Sequence, residues 1–217
     1  MTPSPRPAFP DARDTWNRRF QGDDFLFGTE PNAWLREHAG AWAPGHRVLC
    51  VADGEGRNSV WLAARGLQVD AFDLSEVGVA KARALARARG VEVDYAVADV
   101  DGIDWPRDLY DGIAAVFIQF ADPALRARLF ARMVSALRPG GTLVLQGYTP
   151  RQLEYRTGGP PHADHLYTEE MLRSAFAMLE IVQLREYDAE VREGKGHNGR
   201  SALIGLVARR PGGPAQR

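Results

Sequence analysis

The chain has 217 residues, 45% hydrophobic and 25% charged, with a formal net charge of -1. That suits one globular domain with a sizeable core, and it supplies no long-range field for nucleic acid or a membrane surface. One cysteine, Cys50, leaves no internal disulfide framework and favours a reducing compartment.

Taken in order, residues 1–15 read as a disordered or loosely ordered N-terminus, 16–208 as a single domain and 209–217 as a disordered tail. The first ten residues carry four prolines and lack the apolar stretch of a signal peptide. No segment approaches the ~18 apolar residues of a membrane span, so the sequence reads as a cytoplasmic protein. A helix is expected across Asp11 to Phe20, bearing Trp16 and Phe20. Phe25 to Asn32 is an aromatic loop in which Pro31 biases Glu30 away from helix. It reads equally as a lid over a ligand site or as an aromatic cap on the core. Ala33 to Ala39 continues as a short helix.

Arg47 to Val51 is near-continuously apolar, as a strand buried on both faces should be, with Cys50 a small buried hydrophobe inside it. The turn Asp53-Gly54-Glu55-Gly56-Arg57-Asn58 leads into a helix from Arg57 to Arg65, ended by Gly66. Glu55 and Arg57 are expected to face solvent or pack locally. The second strand, Gln68 to Phe72, ends at Asp73. Ser75 caps a helix with Val77, Ala80, Ala84, Leu85 and Ala88 as its apolar stripe and Lys81, Arg83, Arg87 and Arg89 in water. Strands follow at Val91 to Val97 and Tyr110 to Phe117. Asp122-Pro123 opens a helix with Leu125, Leu129, Met133 and Leu137 as core face. Arg138 to Gly141 is a turn, Thr142 to Gln146 the fifth strand, and Pro150 to His165 a long polar loop. Thr168 caps a last helix. Ile181 to Val191 and Ser201 to Ala208 are the final strands, joined by a loop holding Glu193 and His197. The alternation implies parallel βαβ units in a doubly wound sheet. The short last connection makes the final two strands antiparallel neighbours.

Strand, glycine turn and helix together let backbone approach a nucleotide-like ligand. Glycine has no Cβ and admits positive φ, and the helix start presents free N–H groups. Gly54 and Gly56 supply two glycines of the dinucleotide pattern, but Ser59 occupies the third position, which counts against a pyrophosphate. Asp73 lies 19 residues after Gly54, where an acid accepts hydrogen bonds from a ribose diol.

The chain resembles the class I S-adenosylmethionine-dependent methyltransferases, and within them the small tellurite-resistance and thiopurine-type branch. The matching residues are the turn Asp53 to Asn58, Phe72-Asp73-Leu74-Ser75, Ala98-Asp99-Val100, Leu137 to Leu143 with its Arg-Pro-Gly-Gly, the antiparallel last pair, and Phe27 to Asn32. The resemblance implies a Rossmann-like α/β fold: a doubly wound, mostly parallel seven-stranded sheet with an antiparallel last strand and helices on both faces. It also implies S-adenosylmethionine as cofactor and S-adenosylhomocysteine as product. Gly54 and Gly56 would admit the methionine part, with Asp53 and Asn58 beside it. Asp73 would hold the ribose, and Leu74 would pack on the adenine. Asp99 and Val100 would meet the adenine edge, and Gln119 would face cofactor or acceptor. The family commonly has an acid at Cys50 and a small residue or cysteine at Asp53; here the two are reversed, and Asp53 substitutes for the missing acid.

Methyl transfer from a sulfonium needs alignment and exclusion of water more than dedicated side chains. Candidate bases on the acceptor side are His162, His165, His197 and Tyr148. His162 and His165 lack a third ligand for a metal, and none is expected. The implied partner is a small-molecule acceptor, not nucleic acid or membrane, with the chain a monomer or homodimer. The competing readings are a nicotinamide-dependent oxidoreductase and a non-catalytic adenosine-cofactor-binding regulatory protein.

Overall fold

The computed structural model describes residues 11–212. The expected disorder before residue 11 and after 212 lies outside them. Seven strands form one sheet in the order β3-β2-β1-β4-β5-β7-β6. They are β1 (Arg47–Val51), β2 (Gln68–Asp73), β3 (Asp94–Val97), β4 (Tyr110–Val116), β5 (Leu137–Tyr148), β6 (Glu180–Glu193) and β7 (His197–Arg209). Strands β1 to β5 pair in parallel, and β7 runs antiparallel to both β5 and β6. The doubly wound, mostly parallel sheet with an antiparallel last strand is therefore as expected.

Seven helices accompany the sheet among the described residues: α1 (Ala12–Arg19), α2 (Ala33–His38), α3 (Arg57–Ala63), α4 (Glu76–Ala88), α5 (Pro123–Ala136), α6 (Gln152–Tyr155) and α7 (Glu169–Ala175). None is long and apolar enough to cross a membrane. Because successive strand side chains point to opposite faces, β1 divides its residues between two cores. Leu49 and Val51 pack with Leu129 and Met133 of α5 and Leu172 of α7. Val48 and Cys50 pack with Trp34 of α2, Val60 of α3 and Ala82 of α4. Cys50 is thus the buried hydrophobe expected.

The capping residues act as read. The side chains of Ser75, Asp122 and Thr168 each accept from a backbone N–H in the first turn of their helices. Other readings need correction. The buried face of α4 is Gly78, Val79, Ala82, Leu85 and Ala86, while Ala80, Ala84 and Ala88 are exposed. Alanines at helical spacing occur on both faces of that helix, so its pattern does not orient it. On α5, Phe130 and Ala136 join Leu129 and Met133 in the core, and Leu137 already belongs to β5. The Arg138 to Gly141 segment is a bulge within β5, between the pairs Tyr110–Leu137 and Gly112–Thr142. Past a bulge at Val182, strands β6 and β7 pair continuously to Glu193–His197, so the expected loop shrinks to Gly194-Lys195-Gly196. Ala12 to Thr15 are helical, and Asn17 of α1 accepts from the Ser75 hydroxyl at 2.6 Å.

Gly205 of β7 marks where the sheet admits an indole: a Cβ there would overlap the ring of Trp34, which is 1% exposed. Gly205→Ala should therefore lower unfolding free energy by about 1–3 kcal/mol. Gly40→Ala, where a Cβ meets nothing within 4 Å, should change it by less than about 0.5 kcal/mol. Urea denaturation of both variants checks the pair.

Candidate active site

The sheet order reverses between β1 and β4, and the crevice at their carboxyl ends is where open α/β sheets take ligands. Two residues at that edge hold the left-handed conformation without being glycine: Ala52 after β1 (φ 48°) and Phe117 after β4 (φ 55°). Such geometry costs of order 1–3 kcal/mol and clusters at functional sites. Both residues line a cleft floored by Asp53, Gly54, Asp73 and Leu74, with Phe20 and Phe27 above. A second recess shares Ala52, Leu74 and Phe120 with it and runs on to Asp99 and Val100.

The two glycines of the turn have different jobs. Gly54 (φ 62°) lines the cleft, and its N–H donates to Oδ2 of Asp73 at 2.9 Å. Gly56 (φ 88°) does not line it. A Cβ there would lie 2.7 Å from Cβ of Ala82 and 2.9 Å from the Tyr95 hydroxyl, so this glycine lets α3 approach α4. Ser59, at the third-glycine position, donates its hydroxyl to Asp53 in a very short hydrogen bond, and its oxygen lies 2.8 Å from that of Tyr95. The residue that spoils the dinucleotide pattern thus holds the acid of the turn.

Asp73 is buried and Asp53 half-buried, and neither forms an ion pair, although the charge of Arg57 acts on Asp53. The other oxygen of Asp73, Oδ1, accepts from Ser75 N–H at 2.8 Å. Burial pushes its pKa up to about 6 despite these donors. Burial likewise raises Asp53 to about 7; the bonds from Ser59 oppose the shift and the charge of Asp73 adds to it.

Of the two alternatives for Glu55 and Arg57, solvent or packing, the structure shows packing, with partners outside the turn. Glu55 is 4% exposed, accepts from Leu26 N–H at 2.7 Å and pairs with Lys81 at 2.5 Å. Lys81, read as a water-facing residue, also donates to the carbonyls of Phe20, Gly22 and Asp24. Arg57 is 6% exposed, pairs with Glu193 at 2.7 Å and donates to the Phe27 carbonyl. Asn58 lines the cleft, and its Oδ1 accepts from Asn32 N–H at 3.0 Å. Asn32 in turn caps α2 and donates to Gln146 at 2.6 Å and to Glu193 at 2.9 Å. The turn therefore fastens residues 20–32 over the cleft.

The remaining expected site residues divide. Asp99 is exposed and closes its own turn through the N–H groups of Asp101 and Gly102; Val100 is 3% exposed beside it. Gln119 faces neither recess. Its side chain donates to the carbonyls of Tyr148 and His165 and accepts from Tyr148 N–H, so it ties β5 to the loop beyond. His165 is buried, with Nδ1 at 3.1 Å from the Gln119 carbonyl, and His162 is exposed. Neither lines the cleft, and no metal-like cluster occurs among the described residues. His197 does line it, and Tyr148, 1% exposed, stacks behind Phe117 with ring centroids 4.7 Å apart. The sequence reading missed Phe117, Asn32 and the role of Glu193. Only the polarity of Asn32 and Glu193 hinted at it, because their partners lie far along the chain.

The model of the methyltransferase-domain family matches residues 48–141, from β1 into β5 and including the whole turn. A demethylmenaquinone methyltransferase of Renibacterium salmoninarum is 29% identical over 156 residues, 70% of this chain and 60% of that one. A tRNA 5-carboxymethoxyuridine methyltransferase of Escherichia coli K12 is 35% identical over 113 residues, 49% of this chain and 42% of that one. The chain thus spans less than two thirds of either relative. The fold is that of the N-methyltransferase NodS from Bradyrhizobium japonicum WM9, solved with S-adenosylhomocysteine (TM-score 0.71, 15% identity, 93% of this chain and 100% of that one). The family match covers residues 48–141, and the fold is the one that NodS shows.

Two outcomes follow from this geometry. An acid with a folded pKa near 7 and an unfolded one near 3.8 makes the fold gain stability as pH falls from about 7 to about 4. Asp53→Asn removes that dependence. It should be roughly 1–3 kcal/mol more stable than wild type at pH 8 and equal to it near pH 4, as read by urea unfolding. Lys81→Met should lower hydrogen-exchange protection across residues 20–26 at least ~10-fold and leave β1 and β4 unchanged.

Proposed function

We propose that the protein is an S-adenosylmethionine-dependent methyltransferase that acts on a small-molecule acceptor. Asp53 and Asp73 carry this reading. Neither carboxylate has an ion-pair partner and burial penalises both charged forms; a ligand bearing a cationic amino-acid end and a ribose diol answers both. Each oxygen of Asp73 accepts one backbone N–H and keeps a lone pair for a ribose hydroxyl. Asp53, beside Gly54, would face the ammonium end. Leu74 and Ala52 would flank the base, with Asp99 and Val100 at the far recess. When bound, the cofactor supplies a methyl group on a positively charged sulfur, already an electrophile with a good leaving group.

The protein's own contribution is enclosure and alignment. Phe20 and Phe27 line the cleft, and their rings would shield the transferred methyl group from water. The finer assignment, to the tellurite-resistance and thiopurine branch, rests on Phe27 to Asn32, the segment that the glycine turn fastens down. A small acceptor fits the net charge of -1 and the covered, aromatic-walled cleft better than a nucleic acid, which needs an open basic track.

Asp73→Asn should weaken S-adenosylhomocysteine binding at least tenfold, about 1.4 kcal/mol, in calorimetry at pH 8, where the wild-type carboxylate is ionised. An unchanged Kd would remove Asp73 from the cofactor site, and NADH binding in place of S-adenosylhomocysteine would overturn the reading as a whole.

A further inference from the structure

His197 opens β7 and lines the cleft while only 8% exposed. Its ring sits among aromatics, with centroids 4.4 Å from Phe27, 4.3 Å from Phe117 and 5.8 Å from Tyr148. Its Nδ1 faces Oε2 of Glu193 at 3.7 Å and has no other polar partner. Glu193 is itself fixed, by Arg57 at 2.7 Å and by the Asn32 amide at 2.9 Å. An acid beside one ring nitrogen places the N–H there and leaves the other nitrogen as an acceptor. Nε2 diverges from Glu193 and carries no hydrogen bond among the described residues.

The charged and titratable groups facing the imidazole come from four elements. They are Glu193 on β6, Arg57 on α3, Arg19 on α1 and Tyr148 on β5. Burial lowers the His197 pKa below its ordinary value, the facing Glu193 carboxylate opposes this, and Arg57 and Arg19 lower it further. The imidazole is therefore neutral at pH 7, as a base must be. Burial would raise Glu193, but the facing imidazole and guanidinium overcome it and hold the acid at about 2. Burial raises the Tyr148 hydroxyl, which stays protonated.

We propose that His197 is the general base for a planar phenolic acceptor held between Phe27 and Phe117, with Glu193 as its positioning residue; this rests on the methyltransferase reading above. Flat aromatic walls favour a flat aromatic ligand. A phenol with a pKa near 10, like that of tyrosine, keeps its proton at neutral pH and needs a base. The phenolic proton passes to Nε2, the oxygen lone pair forms the O–CH3 bond, and the C–S bond breaks with its electrons on sulfur as a neutral thioether. The imidazolium then returns its proton to solvent.

The test compares wild type with His197→Gln, using S-adenosylmethionine with 2-naphthol, which is protonated at neutral pH, and with 4-nitrophenol, which is largely ionised at pH 8. His197→Gln should lose at least ~100-fold in kcat/KM on 2-naphthol but less than about tenfold on 4-nitrophenol. Its Kd for S-adenosylhomocysteine should stay within about threefold of wild type. Equal losses on both phenols would make His197 merely structural and overturn the proposal. Wild type that binds S-adenosylhomocysteine yet methylates neither phenol overturns the proposal and leaves the cofactor reading standing. Wild type that binds no S-adenosylhomocysteine sinks both. Independently of activity and of how the variant folds, 15N NMR of the wild-type histidines should find His197 neutral at pH 7 with its proton on Nδ1. A proton on Nε2, or an imidazolium, overturns the assignment.

Discussion

The pair between Arg57 and Glu193 joins the first residue of α3 to the last residue of β6, with side chains 7% and 13% exposed. A charge so far from water is tolerable only when its partner is in place. The pair therefore requires the β6–β7 hairpin to reach the glycine turn. Other contacts gather on the same two residues: the Phe27 carbonyl on Arg57, the Asn32 amide and His197 on Glu193. Three stretches far apart in sequence meet at one ion pair, beside the cleft that Arg57 and His197 line.

Close packing follows from this junction. The turn between β6 and β7 must lie against residues 26–28, and it does so with its backbone: Gly196 N–H donates to the Leu26 carbonyl at 2.9 Å. A Cβ on Gly196 would overlap Phe27. The glycines of this turn are thus needed for contact with the N-terminal segment as well as for the reversal of the chain. Phe27 can then reach both Arg57 and His197, with its ring 4.4 Å from the imidazole.

What was legible in the sequence is what local chemistry dictates. Ser75, Asp122-Pro123 and Thr168 announce helix starts because a short polar side chain meets free N–H groups there. The apolar run at Val48 to Val51 announces a strand buried on both faces, and Asp73 after β2 announces an acid at a strand end. What was not legible depends on distant partners. Lys81 reads as solvated, and Glu55 and Arg57 as solvated or locally packed, because charged side chains are usually exposed; their burial rests on Glu193, Leu26 and three carbonyls in residues 20–24. Gln119 reads as a ligand group by its place after β4, yet its amide is consumed by Tyr148 and His165. His197 reads as a loop residue because glycines surround it, although the hairpin pairs through to Glu193–His197. The exchange of Cys50 and Asp53 relative to the family pattern acquires a local explanation. A mid-strand position between packed side chains suits a thiol, and the position after the bend at Ala52 offers an acid the hydroxyl of Ser59.

The cleft is electrically lopsided, and the asymmetry matches the chemistry proposed for it. At one end Asp53 and Asp73 form no ion pair and burial raises both carboxyl groups, with the charge of Arg57 opposing the shift at Asp53. At the other end Glu193 is compensated by Arg57, and His197 is kept uncharged by burial. A reaction that joins a nucleophile to a cationic methyl donor consumes charge as it proceeds. Acids placed close to the reacting methyl would hold the cation in its starting state and so oppose the transition state. On the proposed reading the unpaired acids lie where the ribose and amino-acid end would be anchored, and the acceptor end would offer aromatic surface with its one acid, Glu193, paired to Arg57. Binding energy from the anchored end is then free to position the methyl group, while a dry, neutral surround favours the disappearance of charge at the point of transfer.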